Sequence, residues 1–375
     1  MTSSTAPTPA DRPVILAAGG TGGHLFPAFA LAEELGRRGR AVELATDMRG
    51  DRYGTGFPAR KVHQIPSATL AGRDPLAMTK TALTLSQGVA SAYRLLGSVK
   101  PLAVVGFGGY PSFPPLLAAR MRGIPSALHE QNAVLGRANR MLAKRVTLIA
   151  TSFRTVKFLN GGLEAKARFT GNPVRSQVLA VAGHPYAEPG ANERIHMVVF
   201  GGSQGARFFS DTVPAALAGL NEGIRWRLAV TQQAREEDVE RVRAAYGAAG
   251  IVADIAPFFR DLPERMANSH LVIARAGASS VAELAVLGRP SILVPLPHAL
   301  DNDQLQNATE LQSAGGAWCL PQSEASPERF TRDIERLFGT PGILATAAAA
   351  ARQQGRADAA VELANLVDQL IAGHA

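Results

Sequence analysis

The chain of 375 residues contains one cysteine, Cys319, so no intrachain disulfide can form and a reducing compartment is expected. Its opening, "MTSSTAPTPADRP", lacks the apolar run of a signal peptide and reads as a loose tail over residues 1–12. Long apolar runs are missing as well. The longest uncharged stretch, "PLAVVGFGGYPSFPPLLAA" between Lys100 and Arg120, holds four prolines and three glycines. Proline removes a helical hydrogen bond and clashes with the preceding turn, so this stretch reads as strand, loop and helix start, not as a membrane span. Charged residues make up only 19% of the chain, but 39 Lys and Arg against 31 Asp and Glu leave a formal charge of +8. That excess reads as attraction to an anionic surface or a polyphosphate, or equally as an arginine-rich composition.

Several catalytic signatures also fail. "HEQNA" begins like the zinc motif H-E-x-x-H, but Ala133 stands where the second histidine belongs. No D-x-D appears at a strand end, so no metal is expected. The glycine loops end without the Lys-Ser/Thr of a P-loop, and Leu25 replaces the third glycine of the dinucleotide fingerprint. Asp47, at the end of a second predicted strand, keeps a ribose-binding acid of the NAD type open.

What the chain does contain is alternation. "PVILAA", "AVELAT", "LAVVGF", "SALHEQ" and "VTLIATS" are short apolar runs divided by helical stretches and Gly/Pro turns, which predicts a parallel sheet covered on both faces. The opening grammar then recurs. "PVILAAGGTGGHLFPAFALAEEL" and "IHMVVFGGSQGARFFSDTVPAAL" share apolar strand, Gly-Gly-Thr/Ser-x-Gly and amphipathic helix. "IRWRLAVTQ", "IVADIAPF", "LVIARAG" and "PSILVPLP" supply further strands, so the chain reads as α/β, two doubly wound domains in tandem. The expected boundaries are 13–173, a Pro/Gly-rich linker at 174–193, 194–345, and a helical region at 346–375 packing back on the first domain. In that last region Leu363, Leu366, Val367, Leu370 and Ile371 form one apolar stripe.

Ligand-binding loops belong at strand ends in such sheets, facing a cleft. Gly19–Gly23 and Gly201–Gly205 each lie between a strand and a helix, where backbone N–H groups and the helix dipole attract phosphate. A third loop, Gly106–Ser112, has the same setting but no partner copy, so a plain turn is its stronger reading. Asn132 can serve a sugar as donor and acceptor, or cap a helix. Glu283, in the first turns after Gly277, can accept from vicinal ribose hydroxyls or simply lie on a helix surface. His298, Asp301, Asn302, Asp303, Gln304 and Asn307 crowd another strand end. His24 is unneeded for anion binding alone; it is either a general base or a side chain hydrogen-bonded to its own loop.

Taken in order, "GGTGGHLFPAFALA", "GFGGYPSFPPLLAA", "HEQNAVLGRANR", "TGNPVR", "GGSQGAR" and "RAGASSVAELAVLGRP" resemble the signature blocks of the MurG family of bacterial glycosyltransferases. The resemblance runs from about Val14 to the last helix. It implies a GT-B fold: two Rossmann-like domains with a cleft, acceptor held mainly by the first and donor by the second. It further implies GlcNAc transfer, with inversion, from UDP-GlcNAc to undecaprenyl-pyrophosphoryl-MurNAc-pentapeptide in peptidoglycan synthesis, without cofactor or nucleic acid. Such an enzyme would sit peripherally on the cytoplasmic face of the inner membrane, near other cell-wall synthesis proteins. The positive charge then suits an anionic membrane, and the stretch Leu70–Leu96, with Leu76, Met78, Lys80, Leu83, Leu85, Val89 and Arg94, is the expected docking face.

Carried over residue by residue, the resemblance implies His24 as base. It implies Thr21, Gly22, Gly23, Asn132, Arg175, Ser203, Phe259, Glu283 and Gln304 at the donor, with Gln306 as the alternative to Gln304. Gly108, Gly109 and Tyr110 fall to the acceptor. A UDP-GlcNAc epimerase and a non-catalytic UDP-sugar-binding regulator of the same fold are the alternatives.

Overall fold

The computed structural model describes residues 12–19, 22–47, 56–68 and 75–374, without the side chains of 75–77, 203–206 and 300. The chain forms two compact units. One runs to Arg175 and resumes at Asp358; the other is Ser176–Ala357.

The first unit begins β1 (Val14–Ala17), α1 (Gly22–Arg37), β2 (Val42–Thr46), β3 (Lys61–Gln64), α2 (Pro75–Val99) and β4 (Ala103–Gly106). It continues α3 (Phe113–Met121), β5 (Ser126–Glu130), α4 (Arg137–Leu142), β6 (Leu148–Thr151) and β7 (Ala167–Phe169). These strands form one parallel sheet in the order β3-β2-β1-β4-β5-β6-β7. β1 is apolar at every position because helices cover both faces. Val14 and Leu16 face one layer with Leu31 and Leu35 of α1. Ile15 and Ala17 face the other, with Leu96 and Leu116.

The second unit holds α5 (Ser176–Val181), β8 (Ile195–Phe200), α6 (Gly202–Ala218), α7 (Glu222–Arg225), β9 (Leu228–Gln233), α8 (Val239–Ala248) and β10 (Val252–Ala256). After these come α9 (Leu262–Ala267), β11 (Leu271–Ala274), α10 (Ala278–Leu287) and β12 (Ser291–Leu293). Then follow α11 (Asp303–Ser313), β13 (Ala317–Cys319), α12 (Pro327–Gly339) and α13 (Ile343–Gln354). Its parallel sheet has the order β10-β9-β8-β11-β12-β13, the same winding as the first. In both sheets the order reverses beside the first strand, at β1/β4 and β8/β11. Ligands bind doubly wound sheets at that reversal, outside the strand C-termini.

A helix, α5, lies within the stretch read as a linker, and the Tyr186 hydroxyl there donates to the His270 carbonyl at 3.1 Å. The last helix, α14 (Ala359–Ala372), belongs to the first unit. Leu363, Leu366, Val367 and Leu370 are buried in the layer that holds Val14 and Leu31. The end of α1 fastens it: Arg38 pairs with Asp368 at 2.9 Å, and so does Arg40. No helix among the described residues is long and apolar enough to cross a membrane.

Candidate active site

In the first unit the switch point is built from two glycine loops and one strand end. A Cβ on Gly19 would stand 2.8 Å from Asp47 Oδ1 and 3.1 Å from Pro111 Cβ, so only glycine lets these three segments meet. Asp47, considered for a ribose, is itself buried under this loop. Gly22 and Gly23 open α1, where the first N–H groups have no carbonyl within the helix. Thr21 lies outside the described residues. The buried Ser112 hydroxyl lies 2.8 Å from the Ala17 carbonyl and 2.7 Å from that of Gly108, tying β1 to the third loop. That loop turns on left-handed Gly108 (φ 84°) and Gly109 (φ 66°), with the partly buried Tyr110 beside it.

His24 stands in the first turn of α1, under this third loop. A Cβ on Gly109 would be 3.3 Å from its Cδ2 and Nε2, and one on Gly108 would be 3.5 Å from Cε1. Nδ1 lies 3.1 Å from Oε1 of Gln131. Burial holds the imidazole below its ordinary pKa of 6.5, opposed by the Gln131 contact and by the Phe107 backbone. A neutral imidazole at a strand-end crevice can take a proton from a substrate hydroxyl.

Glu130, at the end of β5 and only 1% exposed, organises the next segment. Its Oε1 accepts from Asn132 N at 3.0 Å and Asn132 Nδ2 at 3.3 Å. Its Oε2 accepts from Gly136 N at 2.8 Å and Asn139 Nδ2 at 2.7 Å. Burial raises its pKa above the carboxylate norm, and these four bonds pull the other way. Asn132 caps no helix, since α4 is capped by Gly136. Arg175 sets its guanidinium 5.1 Å from the Phe26 ring of α1, bringing a cation to the same helix as His24.

In the second unit α6 starts at Gly202 (φ 65°) directly after β8, presenting its N-terminus at the second switch point. Ser203 lies in its first turn, with its side chain outside the described atoms. Glu283 is 5% exposed on α10, so it is not the surface glutamate of the plain reading. Phe259 is 9% exposed with the Arg265 guanidinium 4.5 Å from its ring, whereas neighbouring Phe258 is 70% exposed.

The polar loop after β12 is held in a costly backbone. His298, Asp301 and Asn302 all have positive φ, at 59°, 56° and 57°. Such conformations persist where surroundings enforce them, commonly at ligand sites. Gln304 Oε1 accepts from Leu296 N at 3.0 Å, which aims its amide nitrogen away from that contact. Asn307, fully buried, instead donates to the Ala276 carbonyl at 3.1 Å and braces the loop after β11.

Two further polar residues stand beside these loops that motif reading did not single out. Gln131 is one. The other is Arg275, 6% exposed, donating to the carbonyls of Val294 and Pro295 at 3.2 Å and to Gln322 Oε1 at 2.6 Å. Burial pushes its pKa down to about 10. A lone charge directly after a four-residue buried strand was the signal for it.

Comparison with known proteins assigns both halves to one family. Residues 14–151 match the glycosyltransferase family 28 N-terminal domain, and residues 196–363 match the family 28 C-terminal domain. The chain is 55% identical over 361 residues to a Methylobacterium sp. (strain 4-46) protein, covering 96% of this chain and 97% of that one. That relative is named UDP-N-acetylglucosamine–N-acetylmuramyl-(pentapeptide) pyrophosphoryl-undecaprenol N-acetylglucosamine transferase. A Brucella abortus (strain S19) protein of the same name is 52% identical, covering 96% and 94%. The crystal structure of MurG from Acinetobacter baumannii superposes with a TM-score of 0.78 at 29% identity, covering 96% of this chain and 99% of that one.

Proposed function

The chain belongs to glycosyltransferase family 28, and from that premise we propose that it is the N-acetylglucosaminyltransferase of peptidoglycan synthesis. It transfers GlcNAc from UDP-GlcNAc to undecaprenyl-pyrophosphoryl-MurNAc-pentapeptide. The observation that carries this is the full-length identity of 55% to a transferase so named. In the proposed mechanism the acceptor's C4 hydroxyl attacks the anomeric carbon of GlcNAc with inversion, and UDP departs. His24 takes the hydroxyl proton, with Gly108, Gly109 and Tyr110 on the acceptor side. The first turn of α6, with Ser203, and Arg175 hold charge on the leaving diphosphate. Glu283 accepts from the ribose hydroxyls, Phe259 borders the uracil, and Gln304 and Asn132 bind the sugar-diphosphate portion with Thr21, Gly22 and Gly23.

UDP release from UDP-GlcNAc, measured with and without the lipid-linked acceptor, tests the reading. Strict acceptor dependence supports it. Donor turnover without acceptor would mean an epimerase, and UDP binding without any release a regulator; the names of the relatives favour neither. Glu283→Ala should weaken donor binding sharply, and unchanged donor affinity would remove Glu283 from the site.

The acceptor is a lipid, so the enzyme works at the cytoplasmic face of the inner membrane, beside other cell-wall synthesis proteins. Met78, Leu83 and Tyr93 on α2 and Met121 on α3 are 50%, 60%, 37% and 59% exposed. A groove of about 520 Å³ beside them is lined by Leu85, Val89, Arg94, Phe113 and Leu117, among others. Leu96, in the same expected face, is core instead. Apolar side chains beside Arg94 suit an anionic bilayer surface. Leu83→Glu should reduce cosedimentation with phosphatidylglycerol vesicles; undiminished binding would move the docking face elsewhere.

A further inference from the structure

We propose that Gln131 is a positioning residue that fixes which nitrogen of His24 carries the proton, and that His129 in turn fixes the orientation of Gln131. The inference rests on His24 acting as the base. The chain of bonds can be read from its far end, where a carbonyl leaves no choice. His129 Nε2 lies 3.1 Å from the carbonyl oxygen of Gly171, which only accepts, so Nε2 bears the hydrogen. His129 is fully buried and its pKa is pushed down to about 4, so the ring is neutral and Nδ1 is a lone pair.

Gln131 Nε2 sits 2.8 Å from that lone pair and 3.0 Å from the His129 carbonyl oxygen. Both partners only accept, so the NH₂ end of the amide must face them. Oε1 is left pointing at His24 Nδ1, 3.1 Å away, and Nδ1 therefore carries the hydrogen of a neutral His24. The lone pair of His24 falls on Nε2, the atom beside Gly109. That is the nitrogen a base must keep open; the Phe107 backbone also accepts from this ring, and a hydrogen held on Nε2 by that carbonyl is the outcome that overturns the assignment.

An amide in this place orients without transferring charge. It cannot take up the proton, and unlike a carboxylate it leaves the imidazole pKa low enough for a neutral base near pH 7. Alone, however, an amide can rotate half a turn and offer NH₂ to Nδ1, which would move the His24 hydrogen to Nε2 and abolish the base. Here that rotation would press Oε1 against two acceptors, Nδ1 and the carbonyl of His129. The titratable groups facing His24 fit the same scheme. His129 is neutral, and the Glu130 carboxylate is turned to Asn132, Gly136 and Asn139. Asn139 Nδ2 is bonded to Glu130 and lies against Gly108.

The test reads the tautomer directly and activity separately, on the full chain. With ¹⁵N-labelled histidine, wild-type His24, assigned by its loss in His24→Ala, should show a protonated Nδ1, and His129 a protonated Nε2. Gln131→Met should convert His24 to a mixture or to protonated Nε2. Finding wild-type His24 protonated at Nε2, or unaltered by Gln131→Met, overturns the proposal whatever the kinetics. Gln131→Met should also lower kcat about ten- to a hundredfold with donor KM within about twofold, the pattern of a lost transition-state interaction. Placed in His24→Ala, it should cost nothing more; an equal loss in both backgrounds would mean a structural role and overturn the proposal. Gln131→Glu should raise the acid limb of kcat by about a pH unit or more, and an unmoved limb in the folded variant counts against it. If His24→Ala keeps its kcat, the base assignment fails, while the NMR pattern still judges the positioning chain.

Discussion

Gly109 approaches His24 so closely that a single added methyl at its Cα would stand 3.3 Å from the imidazole nitrogen Nε2. Gly109 also has φ 66° with ψ 169°, a conformation essentially confined to glycine that costs an L-residue about 1–3 kcal/mol. Gly109→Ala should therefore lower kcat at least about tenfold through a displaced imidazole, since small misplacements of a reacting group carry large rate costs. The accompanying drop in Tm should be about what 1–3 kcal/mol produces, a few degrees to about ten. Steady-state kinetics with thermal unfolding of the same sample separates the two effects.

Activity should fall on the acid side with a midpoint below 6.5. The sign follows from the role: a base must be unprotonated, and burial lowers the pKa of His24. kcat should thus rise with pH through that lowered value. A profile of kcat against pH checks it, and His24→Ala should remove the limb along with most of the rate.

Glu130 holds four donors while buried, so removing it strands Asn132 N, Gly136 N and Asn139 Nδ2. Glu130→Ala should destabilise the first unit by about 3–5 kcal/mol, the range for breaking a buried hydrogen-bonded charge. Glu130→Gln should cost less, because one amide oxygen still accepts. Urea denaturation measures both. Donor KM should rise in each, because Asn132 loses its support.

Leu363 is fully buried between α14 and the first sheet. Leu363→Ala should cost about 2–5 kcal/mol through lost burial and the cavity left behind. Asp368→Ala should cost less, since its two arginine partners remain partly exposed. Thermal unfolding of the two variants should preserve that order.

Periodicity and glycine placement made much of this legible. Both sheets, both switch points and the apolar stripe of α14 follow from runs such as "PVILAA" and "IHMVVF" and from their repetition. β3, β7 and β13 escaped because they are short strands of three or four residues at or near sheet edges, with little apolar run to mark them. At the site, His24 and Glu283 stood out by residue type beside glycine. Gln131 did not, although it lies inside a quoted motif, because its meaning depends on which end of an amide faces which nitrogen. The polar cluster after β12 divided for a similar reason. Asn307 is a buried brace and Gln304 is half-engaged, a distinction that spacing alone does not carry.

The return of α14 to the first sheet has a consequence for how the molecule is made. A ribosome releases β1 and its neighbours early, yet one face of that sheet keeps a bare patch until residues 359–372 emerge, after the whole second unit. The intervening 182 residues of the second unit, Ser176–Ala357, can finish folding while the first waits. Birth order and completion order are thereby reversed. An isolated fragment ending at Arg175 would expose apolar surface that α14 covers, and a stop codon just before residue 359 would injure the first unit, not the second.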